Sequence, residues 1–176
     1  YEATGFAISP SGLIVTNRHV VIDSTGRATK ITVKFANTSV ALRARVAKLS
    51  DDPTIDLALL QIEGAGGPFQ YVTRIATSVD APVSASSAAI GFPLGSDVPM
   101  DGSAVNTTLT VGTISKSVPD VLQIDAFASH GSSGSPVFDG HGHVIGVVYG
   151  GARDGNGRVV YAVPAERITE LRRGVK

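Results

Sequence analysis

Cysteine and tryptophan are absent from this 176-residue chain, and methionine occurs once. Without cysteine there is no disulfide scaffold, no thiol nucleophile and no thiolate ligand for zinc, so the chain suits oxidising and reducing surroundings equally. A surplus of either charge is missing too. Fifteen Lys and Arg residues balance fifteen Asp and Glu residues, scattered along the chain, which leaves no electrostatic footprint for nucleic acid or an anionic membrane. No apolar run approaches the roughly 20 residues of a membrane span, and the opening YEATGFAISP has no basic region followed by an apolar stretch. A chain that begins at Tyr1 is expected to be a processed or excised domain. The partners that remain are polypeptides or small molecules.

What the chain does have is a succession of short apolar, β-branched runs punctuated by Gly, Pro, Asp and Ser: GFAIS, LIVTN, KITVKFA, VALRARVAKL, DLALLQI, SAAIGF, LTVGTIS, VLQIDA, PVFD, HVIGVVYG and RVVYAV. This is the signature of an all-β fold, and so many strands suit two barrels better than one sandwich sheet. Only the tail reads as helix, with Pro164 in its first turn and Ile168 and Leu171 three apart among charged residues. The least regular stretch, Glu63 to Val83, reads as the connection between halves. The expected division is an N-terminal barrel over about 1–66, a connection over about 67–83, a C-terminal barrel over about 84–163 and a helix over about 164–173.

The heptapeptide HGSSGSP, residues 130–136, holds three serines within four positions, with two glycines among them. A nucleophilic serine needs a tight turn, small neighbours that let a carbonyl approach, and backbone N–H groups aimed at the resulting oxyanion. Ser133 fits best, because Gly131 lies two residues before it and Gly134 follows directly; Ser132 and Ser135 are bystanders as nucleophiles. Gly131, Ser132 and Ser133 are the candidate oxyanion-hole residues. The rival G-x-S-x-G elbow fails, since position 135 is Ser and PVFDG continues as a strand where that motif would open a helix.

A serine hydroxyl needs a base. Of four histidines, His19 in LIVTNRHVVI falls where a strand-like run gives way to polar residues, a place from which a turn presents a side chain to a cleft. His141 and His143 lie in a hairpin-like DGHGHV with no third ligand evident for a metal, and His130 is too close to the serines to reach back. No cofactor or metal is expected. The third member must be a carboxylate that fixes the imidazole tautomer, and Asp56 in TIDLALLQI interrupts an apolar strand where an unpaired charge is costly. Asp51 and Asp52 read as an exposed turn.

The order His19, Asp56, Ser133 with these flanks resembles the chymotrypsin-like serine proteases, and more closely the cysteine-poor bacterial trypsin-like domains of the HtrA (Deg) type. TNRHVV is similar to that family's histidine segment, DLALLQI to its aspartate segment, GFPLG to the loop after a middle strand, and LQIDAFASHGSSGSPVFDGHGHVIGVV to its serine region. The resemblance implies two perpendicular six-stranded β-barrels with the site in the cleft between them, endopeptidase activity through an acyl-enzyme, and a periplasmic or secreted setting. It leaves flanking PDZ modules and the oligomeric state open. The sequence departs from the family's pattern at Ser132, where Asn or Asp is usual, and at Ser135, where Gly is usual; His130 is also unusual. Loops around 91–106, 126–130 and 150–157 are where the resemblance locates control. It further implies that Phe127 lies at the base of the primary specificity pocket, that Tyr149, Gly150 and Gly151 pair with the substrate backbone, and that Val159 lines a pocket wall. Such a pocket has no countercharge for Lys or Arg and is expected to prefer small or branched aliphatic residues before the cleaved bond. Two other classes share these residues: a catalytically silent peptide-binding module, and an esterase or acyltransferase using the same triad.

Overall fold

The computed structural model describes residues 2–64, 66–77, 81–95, 105–152, 156 and 158–175. The N-terminal half runs through β1 (Phe6–Ala7), β2 (Leu13–Thr16), the single helical turn α1 (Arg18–Val21), the hairpin β3 (Ile22–Asp23) and β4 (Gly26–Arg27), then β5 (Ile31–Val33), β6 (Leu42–Leu49) and β7 (Ala58–Ile62). Five of these strands form an antiparallel sheet in the order β1-β2-β7-β6-β5, and β3 pairs with β4 alone. The C-terminal half holds β8 (Ser86–Gly91), β9 (Thr108–Val118), β10 (Val121–Asp125), β11 (Pro136–Phe138), β12 (Val144–Gly151) and β13 (Val159–Pro164), which close into a barrel in the order β10-β13-β12-β11-β8-β9. Helix α2 (Glu166–Arg172) follows.

The fold is all-β, as expected, with one closed six-stranded barrel and one half-barrel. Closure of the first half stops short because its edge strands β1 and β5 are two and three residues long, leaving too little backbone to pair across the gap.

Strands β2 and β7 read as nearly unbroken apolar runs because both of their faces are buried. Leu13, Val15, Leu57 and Leu59 turn to one side, where they pack with Val144, Val147, Val163, Ile168 and Leu171 from the second half and α2. Ile14, Ala58, Leu60 and Ile62 turn to the other, against Val21 of α1 and residues of β5 and β6. This is the period-two alternation of a strand applied to two cores at once. A third cluster, including Ile114, Leu122, Ile124, Ile145 and Val160, fills the closed barrel. The first cluster therefore joins the halves, and the two segments that leave β2 and enter β7 emerge at that junction.

Candidate active site

β2 and β7 pair with Thr16 opposite Ala58. That register brings the residues just after β2 beside those just before β7. Asn17 is fully buried there, and its Nδ2 donates to the main-chain oxygen of Asp56 at 2.8 Å. His19 follows within α1. Its backbone N–H donates to Asp56 Oδ1 at 2.8 Å, and its Nδ1 lies 2.5 Å from Asp56 Oδ2. An ionised carboxylate only accepts, so Nδ1 is the donor in that pair, and Nε2 faces Ser133 Oγ, 3.1 Å away. The sequence expectation that Asp56 interrupts a strand is corrected in detail: it precedes β7 by two residues, and its two oxygens are each held by a nitrogen of His19.

The serine segment is built from two consecutive turns. Ser132 N–H donates to Ser129 O and Ser135 N–H to Ser132 O, both at 3.0 Å. Gly131 and Gly134 occupy the third position of each with φ of +89° and +87°, the sign a type II turn demands and a side chain resists. Contact adds to conformation. A Cβ on Gly131 would overlap the carbonyl oxygen of Phe92, and one on Gly134 the carbonyl oxygen of Thr4. Ser133 sits at the second position of the second turn, half-buried, while Ser132 and Ser135 are buried.

The N–H groups of Gly131 and Ser133 make no hydrogen bond among the described residues. Ser132 corrects the expected set: its N–H is consumed by Ser129 O and its Oγ accepts from Ser129 N at 3.1 Å, so it shapes the turn and has no N–H to offer an oxyanion. Ser135, where the family pattern has Gly, is accommodated because its partner across the barrel is Gly91; a Cβ there would overlap Ser135 Oγ.

The remaining candidates fall elsewhere. Asp51 and Asp52 are exposed, and Asp52 is held below the usual carboxylate range first by the Thr54 hydroxyl and then by the Thr54 N–H. His141 and His143 flank a turn whose Asp139 accepts both of their backbone N–H groups, and no cluster of three metal-ligating side chains occurs among the described residues. His130 is exposed, with its carbonyl oxygen accepting from Leu94 N.

Tyr149, Gly150 and Gly151 continue β12 past its last pairing with β11, at Val147 opposite Pro136, so one edge of this segment has no strand beside it among the described residues. The Tyr149 ring stacks on Tyr161 at 6.2 Å between centroids. Burial, then Tyr161 and Asp56, push its hydroxyl above the ordinary tyrosine range. Val159 pairs with Asp125 across the barrel mouth. A void of about 10 Å³, enough for about one water, lies beneath the serine turns among Gly91, Ala126, Ala128, Ser135, Val148 and Val160. Phe127 corrects the pocket expectation. It borders this void but is 51% exposed, because Ile124 and Ala126 turn into the barrel and the alternation sends Phe127 outward; it forms a lip and not a base. Of the control loops, residues 96–104, 153–155 and 157 lie outside the described residues.

Two contributors escaped the sequence. Asn17 was legible only as one polar letter in TNRHVV, and nothing in YEATGFAISP sets Thr4 apart; the structure shows both to be buried polar residues beside an apolar strand.

Residues 3–147 match the family model described as a trypsin-like peptidase domain. The chain is 34% identical over 161 residues to Protease Do-like 5, chloroplastic, of Arabidopsis thaliana, covering 82% of this chain and 46% of that protein. It is 36% identical over 156 residues to a probable periplasmic serine endoprotease DegP-like of Rickettsia prowazekii (strain Madrid E), covering 82% and 27%. The chain thus spans less than half the length of these relatives. Among solved structures, an HtrA-type protease AlgW with decapeptide superposes with a TM-score of 0.77 at 24% identity, over 98% of this chain and 51% of that one, which speaks for the fold.

Proposed function

The chain belongs to the trypsin-like peptidase family, and we propose that it is a serine endopeptidase in which His19, Asp56 and Ser133 form the catalytic triad. One observation carries this reading. Ser133 Oγ lies 3.1 Å from His19 Nε2 while Nδ1 of the same ring is held by Asp56, beside two backbone N–H groups that make no hydrogen bond among the described residues.

In the proposed reaction Ser133 Oγ attacks the scissile carbonyl as its proton passes to His19 Nε2. The carbonyl oxygen gains the negative charge and is held by the N–H groups of Gly131 and Ser133. Asp56 stabilises the imidazolium without taking its proton. When the intermediate collapses, the C–N bond breaks, the proton moves from Nε2 to the leaving amine, and an ester to Ser133 remains. Water repeats the sequence, giving a carboxylic acid and free Ser133. An extended substrate would lie along Tyr149–Gly151 and add a strand to that open edge.

For the residue before the cleaved bond we propose small or branched aliphatic side chains. The void beneath the turns is bordered by small, hydroxyl and apolar side chains, and none of its described lining residues is charged, so it offers no countercharge for Lys or Arg among the described residues. Relatives named periplasmic and chloroplastic support a setting outside the cytoplasm.

Cleavage of a mixed peptide library by the wild type and by Ser133→Ala tests the proposal. Cuts after Val, Ala or Ile that vanish in Ser133→Ala are expected. Hydrolysis of esters but not peptides would make it an esterase, and binding without turnover would make it a silent module; either overturns the reading.

A further inference from the structure

We propose that Thr4 is a positioning residue for the oxyanion hole, acting through its side-chain hydroxyl; this rests on the endopeptidase reading above. Thr4 is buried, 129 positions before Ser133, and belongs to the segment leading into β1. Its Oγ1 donates to Gly131 O at 2.7 Å and accepts from Phe92 N at 3.0 Å. Its backbone N–H donates to Ser133 O at 2.8 Å, and its carbonyl accepts from Thr16 Oγ1, also at 2.8 Å. Every polar group of Thr4 is thus engaged, and its partners lie in three separate parts of the site: the serine turns, the turn after β8, and the end of β2 just before Asn17 and His19.

The direction of the Gly131 N–H is what these bonds control. A trans peptide sets its C=O and N–H on opposite sides, so fixing one end of the unit fixes the other. The unit containing the Gly131 N–H has His130 O as its other end, and that oxygen accepts from Leu94 N at 2.5 Å. Leu94 holds a φ of +68°, a conformation a leucine keeps only when its surroundings require it. The turn that carries Leu94 begins at Phe92, whose N–H ends on Thr4 Oγ1. The next peptide unit is fixed by the same hydroxyl, because its oxygen, Gly131 O, is the acceptor. One hydroxyl therefore ties the turn that orients the His130–Gly131 peptide to the turn that contains it. Removing that hydroxyl leaves a buried acceptor at Gly131 and a half-buried donor at Phe92 without their partner, and as the serine turn and the Phe92 turn shift to re-satisfy them, the His130–Gly131 peptide that they hold changes direction. The oxyanion then loses one of its two donors, an interaction made in the transition state and not in substrate binding.

Thr4→Val keeps the shape and removes the hydroxyl; Thr4→Ser keeps the hydroxyl. With a peptide the wild type cleaves, Thr4→Val is expected to lower kcat about ten- to a hundredfold, somewhat less than outright removal of a donor, with KM within about twofold. Thr4→Ser is expected to retain kcat within about threefold of wild type. Thermal unfolding of each variant accompanies the kinetics, and Thr4→Ala, smaller and with the same backbone N–H, replaces Thr4→Val if the latter does not fold. Equal kcat in the wild type and the folded hydroxyl-free variant overturns the proposal, as does a loss confined to KM, or a Thr4→Ser variant as impaired as Thr4→Val. Failure of the underlying reading looks different: the wild type itself would then show no Ser133-dependent cleavage.

Discussion

In the N-terminal half, His19 and Asp56 meet because two adjacent strands are in register, with Thr16 opposite Ala58 and buried apolar residues on both faces of the pair. In the C-terminal half, Ser133 rides on two turns that exist only because Gly131 and Gly134 accept positive φ and the close approach of Phe92 O and Thr4 O. The proposed base and its orienting acid are thus products of sheet packing, whereas the proposed nucleophile and its two N–H donors are products of local backbone conformation, steadied by hydrogen bonds from a distant segment. The difference teaches where each part is expected to be vulnerable: the His19–Asp56 pair to a change of charge, the serine turns to a single methyl group.

The largest expected effect tests the acid–base side. Asp56→Asn keeps the volume but replaces an acceptor with a group that lets the imidazole adopt the wrong tautomer, and kcat is expected to fall about 10⁴-fold with the unfolding midpoint little changed. A loss below tenfold would remove Asp56 from the triad. Next comes the turn side. Gly134→Ala places a Cβ on the Thr4 carbonyl at a φ of +87°, so activity is expected to fall at least about a hundredfold and stability by about 2–3 kcal/mol. If chemical denaturation and peptide turnover leave this variant near wild type, the serine segment is more pliant than its geometry implies.

A third substitution separates packing from chemistry. Leu59→Ala empties a fully buried site in the cluster that joins the halves, and about 2–5 kcal/mol of stability should be lost, with kcat of the folded fraction within about threefold of wild type. A collapse of kcat in material shown to be folded would tie the site to that cluster more tightly than the strand register does.

How much of this was legible in the sequence follows the same division. The strands show through because β-branched runs alternate with turn residues, and TNRHVV, DLALLQI and HGSSGSP carry the three catalytic candidates in plain view. Residues whose role comes from long-range contact do not show: Thr4 meets Gly131 across 127 positions, and nothing in the local pattern of YEATGFAISP predicts it. Phe127 was misplaced because position relative to Ser133 was weighed above the alternation that, from Ile124 onward, turns it outward. Ser132 looked like a third oxyanion donor because a sequence does not disclose which N–H closes a turn. The open half-barrel was equally hidden, since the short runs that become β1 and β5 do not announce their length.

The smallest expected effect lies away from the site. Burial acts to raise the Asp139 carboxyl, but the N–H groups and imidazoles of His143 and His141 outweigh it and hold it below the ordinary value. A depressed carboxyl contributes stability that is present above its unfolded value, about 4, and disappears as pH falls through the lower folded value. The gap in unfolding midpoint between wild type and Asp139→Asn is therefore expected to be steady above about pH 5 and to narrow below about pH 4. A gap that widens on acidification would contradict that arrangement. Peptide turnover should be the same in both proteins at neutral pH.

The central claim, that turn geometry makes Ser133 and not its neighbours the nucleophile, is tested most directly by a serine-directed fluorophosphonate followed by intact mass and peptide mapping. The account predicts a single adduct on Ser133 in the wild type, retained in Ser132→Ala and Ser135→Ala and absent in Ser133→Ala. An adduct on Ser132 or Ser135, or no adduct on the folded wild-type protein, would contradict it.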